Sequence, residues 1–211
     1  MSVDPDLVAA WVKGWALARG TPAPVAEADG WRVDVGWPDQ QARYVFAGLS
    51  ERLAGLAAEI DRPFVLLKAC AAPEAVAAVL PPGWSVRPPG FFMSCDGPQT
   101  GAGVAPDGYA LEQAQEGPVA VVRLRAPDGT EAAIGRMVVA DGRAIYDRIV
   151  TQQAHRRRGC GRAVMAALRA EADARGAAQG VLVATAEGRW LYEALGWRLH
   201  TPYSTAEVVA A

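Results

Sequence analysis

Apolar residues at helical spacing open the chain. Leu7, Val8, Trp11 and Trp15 follow a possible N-cap at Asp4 or Asp6 and precede Gly20, which predicts a helix over 4–19 with both tryptophans on its core-facing side. Trp31–Val35 and Ala42–Phe46 read as two strands around the turn Gly36-Trp37-Pro38-Asp39. Leu49, Leu53, Leu56 and Ile60 form an apolar stripe that predicts a helix ending before Arg62-Pro63. Phe64–Lys68 is a short, nearly all-apolar run typical of a buried strand. A short helix over Pro73–Leu80, stopped by Pro81-Pro82-Gly83, and a strand at Phe91–Ser94 complete this half.

Cys95–Gly108 is rich in glycine and proline and has no apolar period, so it is the natural boundary between domains at 1–96 and 109–211, with 97–108 as linker. Beyond it, Pro118–Leu124, Glu131–Ala140 and Ala144–Thr151 read as antiparallel strands turned by Pro127-Asp128-Gly129 and Asp141-Gly142. A helix over 162–175, a strand over Val181–Thr185, a helix near 187–195 and the pair Gly196-Trp197 follow. The order helix, strand, helix, Gly-Trp, strand occurs in both halves, with Gly83-Trp84 as the literal echo of Gly196-Trp197.

Composition narrows the class. With 211 residues, 51% hydrophobic, the chain can bury a full core. It has no run of about 18 apolar residues and no basic N-terminal signal, so neither a membrane nor an export signal is expected, and a cytoplasmic protein is. A net charge of −2 argues against nucleic acid as partner. Three cysteines and two histidines, none at metal-ligand spacing, predict neither a structural zinc site nor a disulfide framework.

The one dense basic cluster lies in Gln153–Leu168, QAHRRRGCGRAVMAAL. Gly159 and Gly161 let the backbone turn sharply at a helix N-terminus, where amides and the helix dipole favour an oxygen-rich anion. Arg156, Arg157, Arg158 and Arg162 surround that turn with guanidinium groups suited to phosphate. Arg156, Gly159 and Gly161 fit R-x-x-G-x-G after a strand and before a helix, and Thr185–Trp197, TAEGRWLYEALGW, supplies a second ordered match. Together they resemble the acetyl-CoA-binding signature of the GCN5-related N-acetyltransferases, the GNAT superfamily. The resemblance covers the C-terminal half and implies an α/β fold there, with the N-terminal half as a degenerate GNAT-like lobe. No R-x-x-G-x-G precedes Leu49, so no cofactor site is expected in that lobe.

The resemblance implies an N-acetyltransferase moving an acetyl group from acetyl-CoA to an amine in a direct ternary complex. A small-molecule amine is the first-choice acceptor and a protein lysine or N-terminus the second, with the chain acting as monomer or homodimer. Ile149, Val150 and Thr151 would hold the pantetheine arm through their backbone. Arg156, Arg157, Arg158, Gly159, Cys160, Gly161 and Arg162 would hold the pyrophosphate. Thr185 stands in place of a frequent asparagine, and Gly188 follows it among the cofactor-binding positions. Tyr192 would protonate the departing thiolate; the helix alone reads as packing it beside Leu191 and Leu195 on an apolar face, and the match to the family's LYE-x-x-G pattern favours the catalytic role. The usual strand carboxylate falls at Ile145. Asp147, two residues on and on the same side of the strand, is the candidate base or amine-holding group, unless it pairs with an arginine. A non-catalytic acyl-CoA-binding module is the rival reading, and Cys160 is expected to be a small packing residue rather than a nucleophile.

Overall fold

Helix α1, Pro5–Arg19, starts where the sequence predicts in the computed structural model, which describes residues 3–97 and 103–209. The Asp4 carboxylate accepts the amide N–H of Asp6 at 3.0 Å, proline occupies the first turn, and Gly20, at φ 63°, ends the helix in the left-handed region. Strands β1 (Val25–Glu27), β2 (Gly30–Trp37) and β3 (Gln40–Phe46) then run antiparallel. The sequence pattern misses β1, whose three residues are too few for a period. Helix α2 is Glu51–Glu59, shorter than the apolar stripe suggests, because Ser50 caps it by accepting the Leu53 N–H at 3.2 Å. Strand β4 (Val65–Ala69) lies parallel to β3 along five rungs, from Ala42↔Val65 to Phe46↔Ala69. Helix α3 (Pro73–Ala77) and strands β5 (Trp84–Val86) and β6 (Gly90–Asp96) follow.

After the boundary come β7 (Ala110–Glu116), β8 (Val119–Arg125), β9 (Glu131–Ala140) and β10 (Arg143–Thr151), each antiparallel to the next. A helical turn at Gln153–His155 leads into α4 (Cys160–Ala174), then β11 (Gln179–Ala184), α5 (Ala186–Ala194) and β12 (Arg198–Val208). Ala110–Glu116 is a full strand, joined to β8 by a tight turn at Gly117-Pro118.

The chain forms two compact units. The first takes residues up to 93, 183–186 and 199 onward; the second takes 94–182 and 187–198. The C-terminal strand therefore groups with the first unit, where the sequence alone assigns all of 109–211 to one domain. The physical reason is pairing: β12 is antiparallel to β4 through Ser204↔Ala69 and to β5 through Ala206↔Val86. The linker predicted over 97–108 is described from 103 onward, and residues 98–102 lie outside the described residues.

In the first unit the strand order β1-β2-β3-β4-β12 has a core on one face, where Leu53, Leu56 and Val76 pack on Phe46, Leu67, Ala69 and Ala206. Removing each large aliphatic side chain there from water is worth about 1.5–3 kcal/mol. In the second unit the order is β7-β8-β9-β10-β11, and α4 packs against β8, β9 and β10. Gly135 makes that packing tight: a Cβ there would lie 2.7–2.8 Å from methyl groups of Ile149, Val164 and Leu168. Both units thus contain a strand, helix and strand with the two strands parallel, in an α/β fold with mixed sheets.

Candidate functional site

The parallel pair of the second unit is open where that of the first is closed. Among the described residues β10 and β11 share three rungs, Arg143↔Gln179, Ala144↔Gly180 and Ile145↔Val181, and pair no further. Strand β10 continues beside β9 through a bulge, with Asp147↔Arg136 followed by Val150↔Ile134 and Thr151↔Ala133. Arg148, inside the bulge, takes φ 52°, an uncommon conformation for a residue with a side chain. The bulge bends β10 and leaves the Ile149–Thr151 backbone without a ladder on its β11 side. An extended ligand carrying amides would lie along this unladdered edge, where the Thr151 carbonyl already accepts from Arg156 Nε.

The arginine loop closes the lower end of this opening. Arg157 sits at φ 62° and Gly159, the N-cap of α4, at φ 85°. The first intrahelical bond of α4 runs from the Ala163 N–H to the Gly159 carbonyl, so the amides of Cys160 and Gly161 precede it. Gly161 is required by proximity. A Cβ there would come within 3.1 Å of Leu191 Cδ2 and 3.2 Å of Thr151 Oγ1, so α5, the end of β10 and the start of α4 meet at this glycine. Arg156, Arg157 and Arg158 are exposed, and Arg162 is half-buried. The Arg156 Nε donates to the Thr151 carbonyl at 3.4 Å.

Sequence reasoning does not foresee a side-chain brace on this loop. Tyr109 Oη lies 2.9 Å from His155 Nδ1, and Arg158 Nη1 donates to the same phenol oxygen at 3.4 Å. Both partners of Tyr109 are set by folding, and nothing in the local pattern around it marks the contact.

The two candidate catalytic residues are brought into one neighbourhood. Tyr192 is buried on α5, its ring 5.9 Å from that of Trp197, which in turn stands 5.3 Å from Tyr146. Burial first, and the charge of Asp147 second, raise the Tyr192 phenol well above its ordinary value. The group is a proton donor at neutral pH and holds its proton against bulk solvent. Asp147 is half-buried, and the residue opposite it in the register, Arg136, has its guanidinium 3.6 Å from Glu116. Ile145, at the position of the family's strand carboxylate, is fully buried. Cys160 is also buried, which raises its thiol pKa and fits a packing role. Gly188 is half-buried in the first turn of α5, whereas Thr185 is exposed in the segment 183–186 that groups with the first unit.

Residues 109–199 match the family model described as acetyltransferase (GNAT) domain. The whole fold is similar to a GCN5-related N-acetyltransferase from Kribbella flavida, with a TM-score of 0.70 at 15% identity, covering 100% of this chain and 97% of that one. A GNAT-family protein from Novosphingobium aromaticivorans aligns with a TM-score of 0.61 at 22% identity, covering 99% and 100%. A tandem GNAT protein from the clavulanic acid biosynthesis pathway gives 0.58 at 15%, covering 86% and 80%. No curated protein matches the sequence.

Proposed function

We propose that the second unit binds acetyl-CoA and transfers its acetyl group to the primary amine of a small molecule in a direct ternary complex. The observation that carries this reading is the three-rung ladder between β10 and β11, which leaves one edge of β10 at Ile149–Thr151 without a neighbouring strand beside the arginine loop. The closed five-rung ladder of β3 and β4 offers no such edge, so the first unit, a degenerate lobe of the same kind, is not given a cofactor.

Acetyl-CoA supplies the acetyl group as a thioester. Amides of Gly159, Cys160 and Gly161 face its pyrophosphate, with the guanidinium groups of Arg156, Arg157, Arg158 and Arg162 adding charge-assisted contacts. Gly188 admits the arm along α5. Asp147 holds the amine and accepts the proton that the amine loses, and Tyr192 gives its own to the departing sulfur, so one proton is taken and one returned. The phenol then regains a proton from the thiol or solvent. Burial keeps the Tyr192 proton in place at neutral pH, so the phenol stands ready as a donor although burial also weakens it as an acid.

The fully buried Ile145 favours one competing reading, a module that binds acyl-CoA without transfer. Tyr192→Phe separates the two. On the enzyme reading kcat for an accepted amine falls about 100-fold or more while acetyl-CoA affinity by calorimetry stays the same. A wild type that binds acetyl-CoA but acetylates no amine in a broad acceptor screen supports the module.

A further inference from the structure

The first unit buries cations on the sheet face opposite the core that carries α2. Residues directly paired across strands share a face, and alternate residues return to it. Lys68 pairs with Val45 on one side and Thr205 on the other, so Arg43, Lys68, Thr205 and Tyr203 all point to one face. Helix α1 covers it: the Trp11 ring is 5.1 Å from Tyr203, and Arg43 Cζ stands 3.4 Å over Trp15. Lys68, Arg43, Tyr203 and Gln40 are exposed by only 9%, 6%, 5% and 8% respectively.

Two donors and one phenol here have hydrogen-bonding capacity left over. The Lys68 ammonium has three N–H groups and, among the described residues, one hydrogen-bond partner, Thr205 Oγ1 at 2.8 Å. Its Nζ lies 5.8 Å from the Tyr203 ring centre, and the Tyr203 hydroxyl is buried without a hydrogen-bond partner. Gln40 gives its carbonyl oxygen to Arg43 at 2.9 Å, which leaves its Nε2 buried with no acceptor. Burial disfavours the Lys68 charge, and Arg43, Arg87 and Arg19 oppose it further. The one carboxylate acting in its favour is Glu207, which Arg87 Nε already engages at 2.6 Å. A buried ammonium with two unfilled N–H groups, 5.8 Å from the ring of an unsatisfied phenol, costs several kcal/mol unless the lysine gives up its proton or an acceptor of opposite charge joins it.

We infer that the first unit binds a small monoanion, a halide or a small carboxylate, at the Lys68 ammonium and Tyr203 hydroxyl between α1 and the sheet. The ion accepts the remaining Lys68 N–H groups and the Tyr203 O–H, and the tryptophan walls keep water from competing. This site is independent of the acetyl-CoA reading and stands or falls without it.

The test is thermal unfolding of the full chain in sodium chloride, sodium acetate and sodium gluconate at one ionic strength, the last anion being too large for the site. The wild-type Tm is expected to rise saturably in chloride or acetate, by about 5–10 °C at a hundredfold excess over Kd. A response to acetate alone identifies a carboxylate site; a response to both identifies a general monoanion site. Lys68→Met should melt higher than wild type in gluconate, because the buried charge is gone, and should show no response to chloride or acetate. Tyr203→Phe should keep the response at several-fold higher anion concentration. Identical wild-type melting in the three salts, or a full response retained by Lys68→Met, overturns the inference.

Discussion

Replacing Gly161 by alanine separates folding from ligand binding in the second unit. The new Cβ would stand 3.1 Å from Leu191 Cδ2 and 3.2 Å from Thr151 Oγ1, a few tenths of an ångström inside ordinary contact. Against that crowding, alanine is about 1 kcal/mol better than glycine in a helix. Crowding of this size costs about as much, so the net stability change is small, within about 1 kcal/mol or roughly 2–4 °C in Tm. Binding should respond differently. Relief of the contact moves Thr151 or Leu191, and Thr151 belongs to the open edge of β10 while the Gly161 amide belongs to the helix start, so the two halves of the proposed acetyl-CoA site lose register. A displacement of this kind should weaken acetyl-CoA by about tenfold, or 1.4 kcal/mol. Gly159→Ala is the control: a Cβ there meets nothing within 4 Å, and its φ of 85° makes the cost one of backbone strain. That variant should lose about 1–2 kcal/mol of stability. Calorimetric titration with acetyl-CoA beside thermal melts reads both quantities. Wild-type affinity in Gly161→Ala would refute the placement of the cofactor at this glycine.

Three further outcomes follow from burial. Gly135→Ala drives a methyl to within 2.7–2.8 Å of Ile149, Val164 and Leu168, and overpacking there should cost about 1–3 kcal/mol, seen as a lower midpoint in urea. Tyr146, Tyr192 and Tyr203 all have phenol pKa values raised by burial above the unfolded value of about 10. Their stabilising contribution is complete below about pH 10 and is lost as the pH rises above it, because only the unfolded chain ionises them there. Phenolate absorbance from these three should appear only together with loss of secondary structure; gradual ionisation in a folded chain would contradict their burial. Cys70, whose thiol is pushed up to about 12, and the buried Cys95 and Cys160 should resist a thiol-exchange reagent until the chain unfolds. Rapid labelling of Cys160 would reopen a nucleophilic role for it.

Much of the site was legible in the chain because its signals are local. The glycines at 159 and 161 and the arginines between 156 and 162 act within one loop, and the structure places them at a helix N-terminus as their spacing implies. The cap at Asp4, the stop at Gly20 and the buried strand at 65–69 are local in the same sense. The partners of β12 were illegible, since an extended segment carries no record of which distant strand it will join. The bulge in β10 left a faint trace: alternation fails at Asp147-Arg148, where two polar residues precede the apolar pair Ile149-Val150. Alternation alone identifies such a break without saying which way the strand bends. The proximity of Asp147 to Tyr192 arises only once α5 has docked, so neither residue's own segment announces it.

The contrast between the two parallel ladders bears on the stoichiometry of the proposed binding. Strands β3 and β4 stay zipped to the end of β3, while β10 and β11 part after three rungs, and beyond them one extra residue of backbone bulges at Arg148. On the proposed reading, with one open ladder making one site, acetyl-CoA titrates to one equivalent per chain.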